Sequence, residues 1–369
     1  MQLSHEDQLR LNVLVAQSLQ AVRIDESRMR VHALSEKGEA SIDLNPTCKD
    51  EKYIRLIQQF LSTHYLGSPG GYPVFLRRWT RMGQARNDSL EKLLLIGEPE
   101  AVVAVVHASG LTNELARRAW WTSTNAENAR RMLEKENVVK GNMGKELAQF
   151  LVEFLPFEEE QKAIIDSVRL VLQPGLIDNE TRRDIWKRGK RKNSYYVGFL
   201  QQTPDNLPID ATPHEKWETA TKALKPEVDR GNGYARLLCR TLGPTGQAFL
   251  HVANLVLQKP NDQEVVVALL NAIGNYFECG KTGTRTCRDM QSLSNQVGIL
   301  FGDDPNVEKI LSIDPDLQPQ LNAILSLSMV SESLVDPIFG MTDAIGTVMR
   351  KKIEPVIQPI TGYIRLLQT

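Results

Sequence analysis

Pro99-Glu100-Ala101-Val102-Val103-Ala104-Val105-Val106-His107-Ala108-Ser109-Gly110-Leu111-Thr112 decides the fold class. Proline suits the first helical turn, because the N–H it lacks would have no partner there and its φ is already helical. Val102, Val103 and Val106 recur at helical spacing. Gly110 stops the helix, and Thr112 is placed as hydroxyl cap for the next, which carries Leu115, Ala119 and Trp120. The pattern is a short helix, a sharp break and a second capped helix.

That pattern repeats toward the C-terminus. Asn125 caps a third helix, and others are expected at about 143–154, 159–172, 179–189 and 193–201. Glu158-Glu159-Glu160 stands at a helix N-terminus, where the dipole favours negative charge. Thr203–Pro213 holds three prolines and little apolar content, as a linker does. Thr212-Pro213-His214-Glu215 then combines a hydroxyl cap, a first-turn proline and a glutamate, the signature of a helix start. Helices follow at about 215–224, 227–241, 245–258, 263–278, 288–301 and 318–333. A last stripe runs through Ile338, Met341, Ile345, Val348, Met349, Ile353, Val356, Ile357 and Ile360, across Pro355 and Pro359. It is expected to dock back onto the protein rather than lie on a membrane.

Toward the N-terminus the pattern changes. Gly67-Ser68-Pro69-Gly70-Gly71-Tyr72-Pro73 cannot be helix or central strand. Before it lies a helix from about Lys49 to His64, with Ile54, Ile57 and Leu61 inward. Ala21–Asp25, Arg30–Leu34 and Ser41–Leu44 alternate with period two around the turn Ser35-Glu36-Lys37-Gly38, as in a small antiparallel meander. Ser4 and Asp7 open an amphipathic helix bearing Leu11, Leu14, Val15 and Leu19. The expectation is a mainly α chain: an irregular helical-hairpin array, HEAT-like solenoid or bundle, with a small N-terminal β meander. No fixed repeat period decides between solenoid and bundle. Three parts are expected: 1–66, 67–203 and 213–369.

With 41% apolar and 24% charged residues the chain can bury a sizeable core. A net charge of −1 supplies no global field toward nucleic acid or anionic membranes, so any such binding must be local. The N-terminus is acidic with no apolar h-region, and no run approaches a membrane span. Cys48, Cys239, Cys279 and Cys287 are sparse and scattered, so a cytoplasmic protein with reduced thiols is expected.

Two clusters are candidate binding sites. Arg77, Arg78, Trp79 and Arg81 follow the Gly67–Pro73 loop, whose Gly70 and Gly71 leave backbone N–H groups free to meet an anion. The second run, residues 182–192, has seven basic residues in eleven. It includes Lys187, Arg188, Lys190, Arg191 and Lys192, with Trp186, Tyr195 and Tyr196 interleaved, a combination that suits phosphates and bases. Gly274–Thr282 misses the P-loop spacing by one residue and continues a helix. Cys279 and Cys287 flank the turn that follows and form no metal motif. The six histidines show no metal spacing, and no nucleophile elbow is present. No catalytic residue, metal or cofactor is expected.

The run Gly67–Gln84 resembles the DsrS family. So do Gly97-Glu98-Pro99-Glu100-Ala101-Val102, Ala116-Arg117-Arg118-Ala119-Trp120-Trp121 and Val152–Glu159. The similarity spans most of the first 200 residues and continues more loosely. DsrS proteins are encoded with the reverse dissimilatory sulfite reductase genes of sulfur-oxidising bacteria. The resemblance implies a soluble cytoplasmic protein with no assigned catalysis and a suggested role in controlling those genes. It supplies no catalytic residues. The function expected is therefore that of a non-catalytic accessory or regulatory protein, binding a protein partner or nucleic acid through the two clusters. The rival is a small-anion-binding protein or enzyme, with its site at the Gly67–Pro73 loop and Arg77, Arg78 and Arg81.

Overall fold

The computed structural model describes residues 2–71, 87–279 and 285–368. The chain is mainly α-helical with a small N-terminal antiparallel sheet. It forms two compact units, Met1–Phe154 and Leu155–Thr369.

The first unit opens with helix α1 (His5–Val15), where the Ser4 hydroxyl accepts from the Asp7 N–H at 3.1 Å. Strands β1 (Leu19–Asp25), β2 (Arg30–Ser35) and β3 (Gly38–Asp43) follow in spatial order β1-β2-β3. Helix α2 (Asp50–Leu66) packs behind them. Leu11, Leu14, Val22, Val31, Tyr53, Ile57 and Leu61 make one core. Leu19 packs on it too, but from β1 rather than from α1, because the helix ends at Val15 and residue 19 is already paired with Ser35. Asp7 is fully buried, and its carboxylate accepts from the Tyr53 hydroxyl and the Asn45 N–H. Both bonds reach Oδ2, while Oδ1 is buried without a partner among the described residues, so they offset only part of the cost of burying that group.

Among the described residues of this unit, helices α3 (Asn87–Leu93), α4 (Pro99–His107), α5 (Asn113–Thr122), α6 (Ala126–Leu133), α7 (Glu136–Val139) and α8 (Asn142–Phe154) follow. Pro99 stands at the first turn of α4, and Thr112 and Asn125 cap α5 and α6 as their positions predict.

The second unit contains α9 (Gln161–Val171), α10 (Asn179–Arg188), α11 (Asn193–Gln202), α12 (Trp217–Asp229), α13 (Gly233–Leu242) and α14 (Pro244–Gln258). It continues with α15 (Gln263–Tyr276), α16 (Met290–Asp303), α17 (Pro305–Ile313), α18 (Gln318–Ser328), α19 (Asp336–Phe339) and α20 (Gly346–Leu366). Helix α11 is apolar nearly all round, with Ser194 to Leu200 buried, and packs against α9, α14 and α15. A helix so patterned belongs at the centre of its unit. The 203–213 stretch lies inside this unit, because α11 before it packs on α14 and α15 after it.

One proline breaks less than expected, and two others lie inside a helix as the apolar stripe predicts. Pro226 lies within α12, and the break falls at Gly231 and Asn232, where the Asn232 side chain caps the N–H groups of Tyr234 and Ala235. Pro355 and Pro359 lie within α20. An interior proline costs about 3 kcal/mol. Burial of Met349, Ile353, Val356, Ile360 and Ile364 against α14 and α18, at roughly 1.5–3 kcal/mol each, outweighs two of them.

Helix α12 starts at Trp217 rather than at Pro213. His214 is the cause. Its N–H donates to the Leu242 carbonyl at 2.9 Å, and its Nδ1 accepts from the Lys216 N–H at 3.0 Å, which holds the chain in a turn. The ring is buried, Nε2 has no partner among the described residues, and burial lowers its pKa below the ordinary value. The unfolded chain therefore takes up this proton more readily than the folded one, so stability falls as pH drops below about 6.5. Melting measured between pH 7.5 and 5.5 is expected to shift steadily downward. His214→Asn, which keeps an acceptor near the Nδ1 position, reduces that slope, and what remains includes His32, whose pKa burial also lowers.

Candidate binding site

The loop after α2 is described as far as Gly71. Gly67 is the left-handed cap of α2, with φ 65°, and its N–H donates to the Thr63 carbonyl. The buried Ser62 hydroxyl donates to the Ser68 carbonyl at 2.6 Å. Gly70 is exposed. Gly71 is buried with φ 68°, and a Cβ there would collide with the Glu98 carboxylate. The start of the loop thus turns the chain at positions where side chains do not fit. Tyr72 to Arg86, and with them Arg77, Arg78, Trp79 and Arg81, lie outside the described residues.

The basic run 182–192 divides in two. Trp186, Tyr195 and Tyr196 are buried, with Trp186 packed on Tyr196 and Phe199. Arg182 lies over the Phe199 ring and donates to Thr203 Oγ1 and the Asn206 carbonyl. Lys192 Nζ donates to the Glu158 carbonyl at 3.0 Å, and Arg188 is half-buried. Arg183, Lys187, Lys190 and Arg191 face solvent, Lys187 in a surface pair with Asp184. What is left outward is charge without aromatic surface, which meets phosphates or carboxylates but cannot stack on bases.

A cavity of about 420 Å³ lies nearby in the same unit, between α9, α11, α13 and α15. Its polar lining is Arg169, Gln201, Arg240 and Asn275, and its apolar lining includes Leu200 and Tyr276. Arg240 lies 4.1 Å over the Tyr276 ring, donates to the Tyr276 carbonyl, and has Asp205 at 3.5 Å. Its Nε–H is buried without a partner among the described residues. Tyr276 stacks on Phe249 with centroids 3.7 Å apart and donates its hydroxyl to Asp205. Burial raises the Tyr276 pKa, so the phenol stays protonated. Arg285 donates to Asn275 Oδ1 at 2.6 Å, which leaves that side chain's amide N–H groups for the cavity. Arg169 pairs with Asp166 at 3.7 Å, and among the described residues no carboxylate is part of the lining itself.

Sequence reasoning missed this site. Arg169, Arg240 and Asn275 lie on three separate helices, far apart in sequence, and only packing brings them together. Gly274 lies in helix α15 as its apolar spacing predicts, while Gly280 to Gly283 lie outside the described residues. Burial pushes the Cys279 thiol up to about 11 and raises that of Cys287, so neither is poised as a nucleophile. No helix among the described residues is long and apolar enough to cross a membrane. No family model, curated protein or solved structure matches the chain.

Proposed function

We propose that the chain is a non-catalytic accessory protein that works by binding, and that its second unit takes a small organic anion between Arg169 and Arg240. One observation carries this reading: among the described residues the cavity's polar lining consists of two guanidinium groups and two carboxamides, with the carboxylates that pair with the guanidiniums, Asp166 at 3.7 Å from Arg169 and Asp205 at 3.5 Å from Arg240, outside the lining. Guanidinium forks match carboxylate and phosphate geometry. Leu200, Pro204, Ala272 and the Tyr276 ring suit an apolar body attached to the anion. The volume falls within the range of small-molecule sites. The resemblance to DsrS proteins supports placing the role in bacterial sulfur oxidation, in the cytoplasm.

Benzoate and its neutral analogue benzamide separate charge from shape. Benzoate is expected to raise the melting temperature with the logarithm of its concentration. Benzamide leaves it unchanged, and Arg169→Gln weakens benzoate by about tenfold. Equal shifts from both compounds, or none from either, would remove the anion reading.

The four outward cations Arg183, Lys187, Lys190 and Arg191 support a second contact, with a polyanionic partner such as nucleic acid. With about 0.9 counterions released per phosphate met, log affinity for duplex DNA against log salt has a slope no steeper than about −4. Alanine at all four positions abolishes the slope. An isotherm independent of salt would count against this contact.

A further inference from the structure

The outer edge of β3 is open. The two-residue turn Glu36-Lys37 pairs Ser35 with Gly38, so residues 38, 40 and 42 exchange backbone bonds with β2, while 39, 41 and 43 point away. The Leu44 N–H bonded to the Met29 carbonyl continues that alternation. Among the described residues no strand pairs with the outer edge, and β3 is exposed along almost its whole length. Asp43 is the exception at one end, its carbonyl accepting from Arg10 at 3.3 Å.

Beside this edge runs a groove of about 500 Å³, walled by one face of α1 and by β3. Leu9 and Val13 stand in it 63% and 59% exposed, with Ile42 opposite. Two apolar side chains on one helix face, beside unanswered backbone donors and acceptors, make a helix-flanked sheet edge. Such edges take an added strand: backbone bonds give affinity and alternate side chains enter the groove.

We infer that this edge binds an extended segment of a protein partner as a fourth, antiparallel strand. Ala40 and Ile42 share the groove face, so the occupant's residues across from them are apolar. Glu39 and Asp43 lie on the other face, where Glu39 accepts from Trp121 Nε1 at 2.6 Å and Asp43 pairs with Arg30 at 2.6 Å, and a basic residue across from each adds to these contacts. The occupant is therefore a short strand of alternating basic and apolar residues. A second copy of this chain fits less well, because antiparallel self-pairing about Ser41 sets Glu39 against Asp43 twice.

The test uses the full chain and the capped peptide acetyl-Ser-Lys-Val-Thr-Val-Lys-Ser-amide, followed by amide chemical shifts. Shifts are expected at residues 9–17 and 38–43. Ser41→Pro removes only an outward N–H, a position where an edge strand tolerates proline, and should weaken the peptide by at least about tenfold. Val13→Lys on exposed α1 should do the same by setting an ammonium among the apolar side chains that enter the groove, and an unchanged spectrum elsewhere shows that both variants are folded. Binding unaffected by both variants, shifts confined to other residues, or no binding would overturn the proposal. Concentration-dependent shifts of the same residues without peptide would assign the edge to a second copy instead.

Discussion

Gly274→Ala should destabilise the second unit by about 3 kcal/mol, lowering its melting temperature by on the order of 10 °C. Helix propensity argues the opposite, since alanine is better than glycine in a helix interior by about 1 kcal/mol. Packing decides the sign. The Val330 carbonyl oxygen occupies the place where a Cβ on residue 274 would stand, and Arg285 Nη1 lies 3.1 Å from it. The obstacle is backbone at the end of α18, held between two helices, so it cannot swing aside as a flexible side chain would. Gly362→Ala in α20 is the control, because nothing lies within 4 Å of its Cβ position. That variant should melt slightly higher. If both variants melt higher, the close approach of α15 to the 328–333 turn is wrong.

Arg285→Met has the second large effect, again about 3 kcal/mol. Its guanidinium donates to the Ser328 carbonyl at 2.8 Å, the Gly274 carbonyl at 2.7 Å and Asn275 Oδ1, and it pairs with Glu278 at 3.3 Å. The side chain is only 16% exposed. One group thus satisfies the carbonyl ends of α15 and α18, which no intrahelical N–H can reach. The Ser331 and Ser333 hydroxyls donate to its own carbonyl, which fixes it from behind. Methionine keeps the apolar stem and strands those acceptors, each at about 1–3 kcal/mol before water recovers part of it. Lysine should not rescue the variant, because a single ammonium cannot span three acceptors in a fork. Denaturant melts of the three proteins measure this. Full recovery by lysine would mean that charge alone matters. Because Arg285 also holds Asn275 in the cavity wall, the methionine variant should bind benzoate more weakly even where it remains folded.

Local signals were legible and distant ones were not. Thr112, Asn125 and Ser4 could be read as caps because a cap bonds an N–H two or three residues away. The three strands were legible from their alternation and the turn between Ser35 and Gly38. Proline was misleading at Pro226, where a break between two helices is expected, but not at Pro355 and Pro359, across which the stripe could be followed. Thr212 failed as a cap because a contact from His214 to Leu242, distant in sequence, held the chain in a turn. Helix α17 is not among the expected helices, although Pro305 stands at its first turn and Asp304 caps it. The 182–192 run was visible as charge, but which residues face inward depended on Phe199, Thr203 and Glu158. Nothing in the sequence joins Arg169 to Arg240, since they are 71 positions apart on separate helices and the donor-lined cavity exists only once α9, α11, α13 and α15 have packed.

The anion cavity is tested most directly by crystals soaked in 4-bromobenzoate, with the bromine located by anomalous scattering. A bromine peak among Leu200, Pro204 and Ala272, with the carboxylate on Arg169 and Arg240, is the predicted result. Bromine found only elsewhere, or a carboxylate turned away from both arginines, would contradict it.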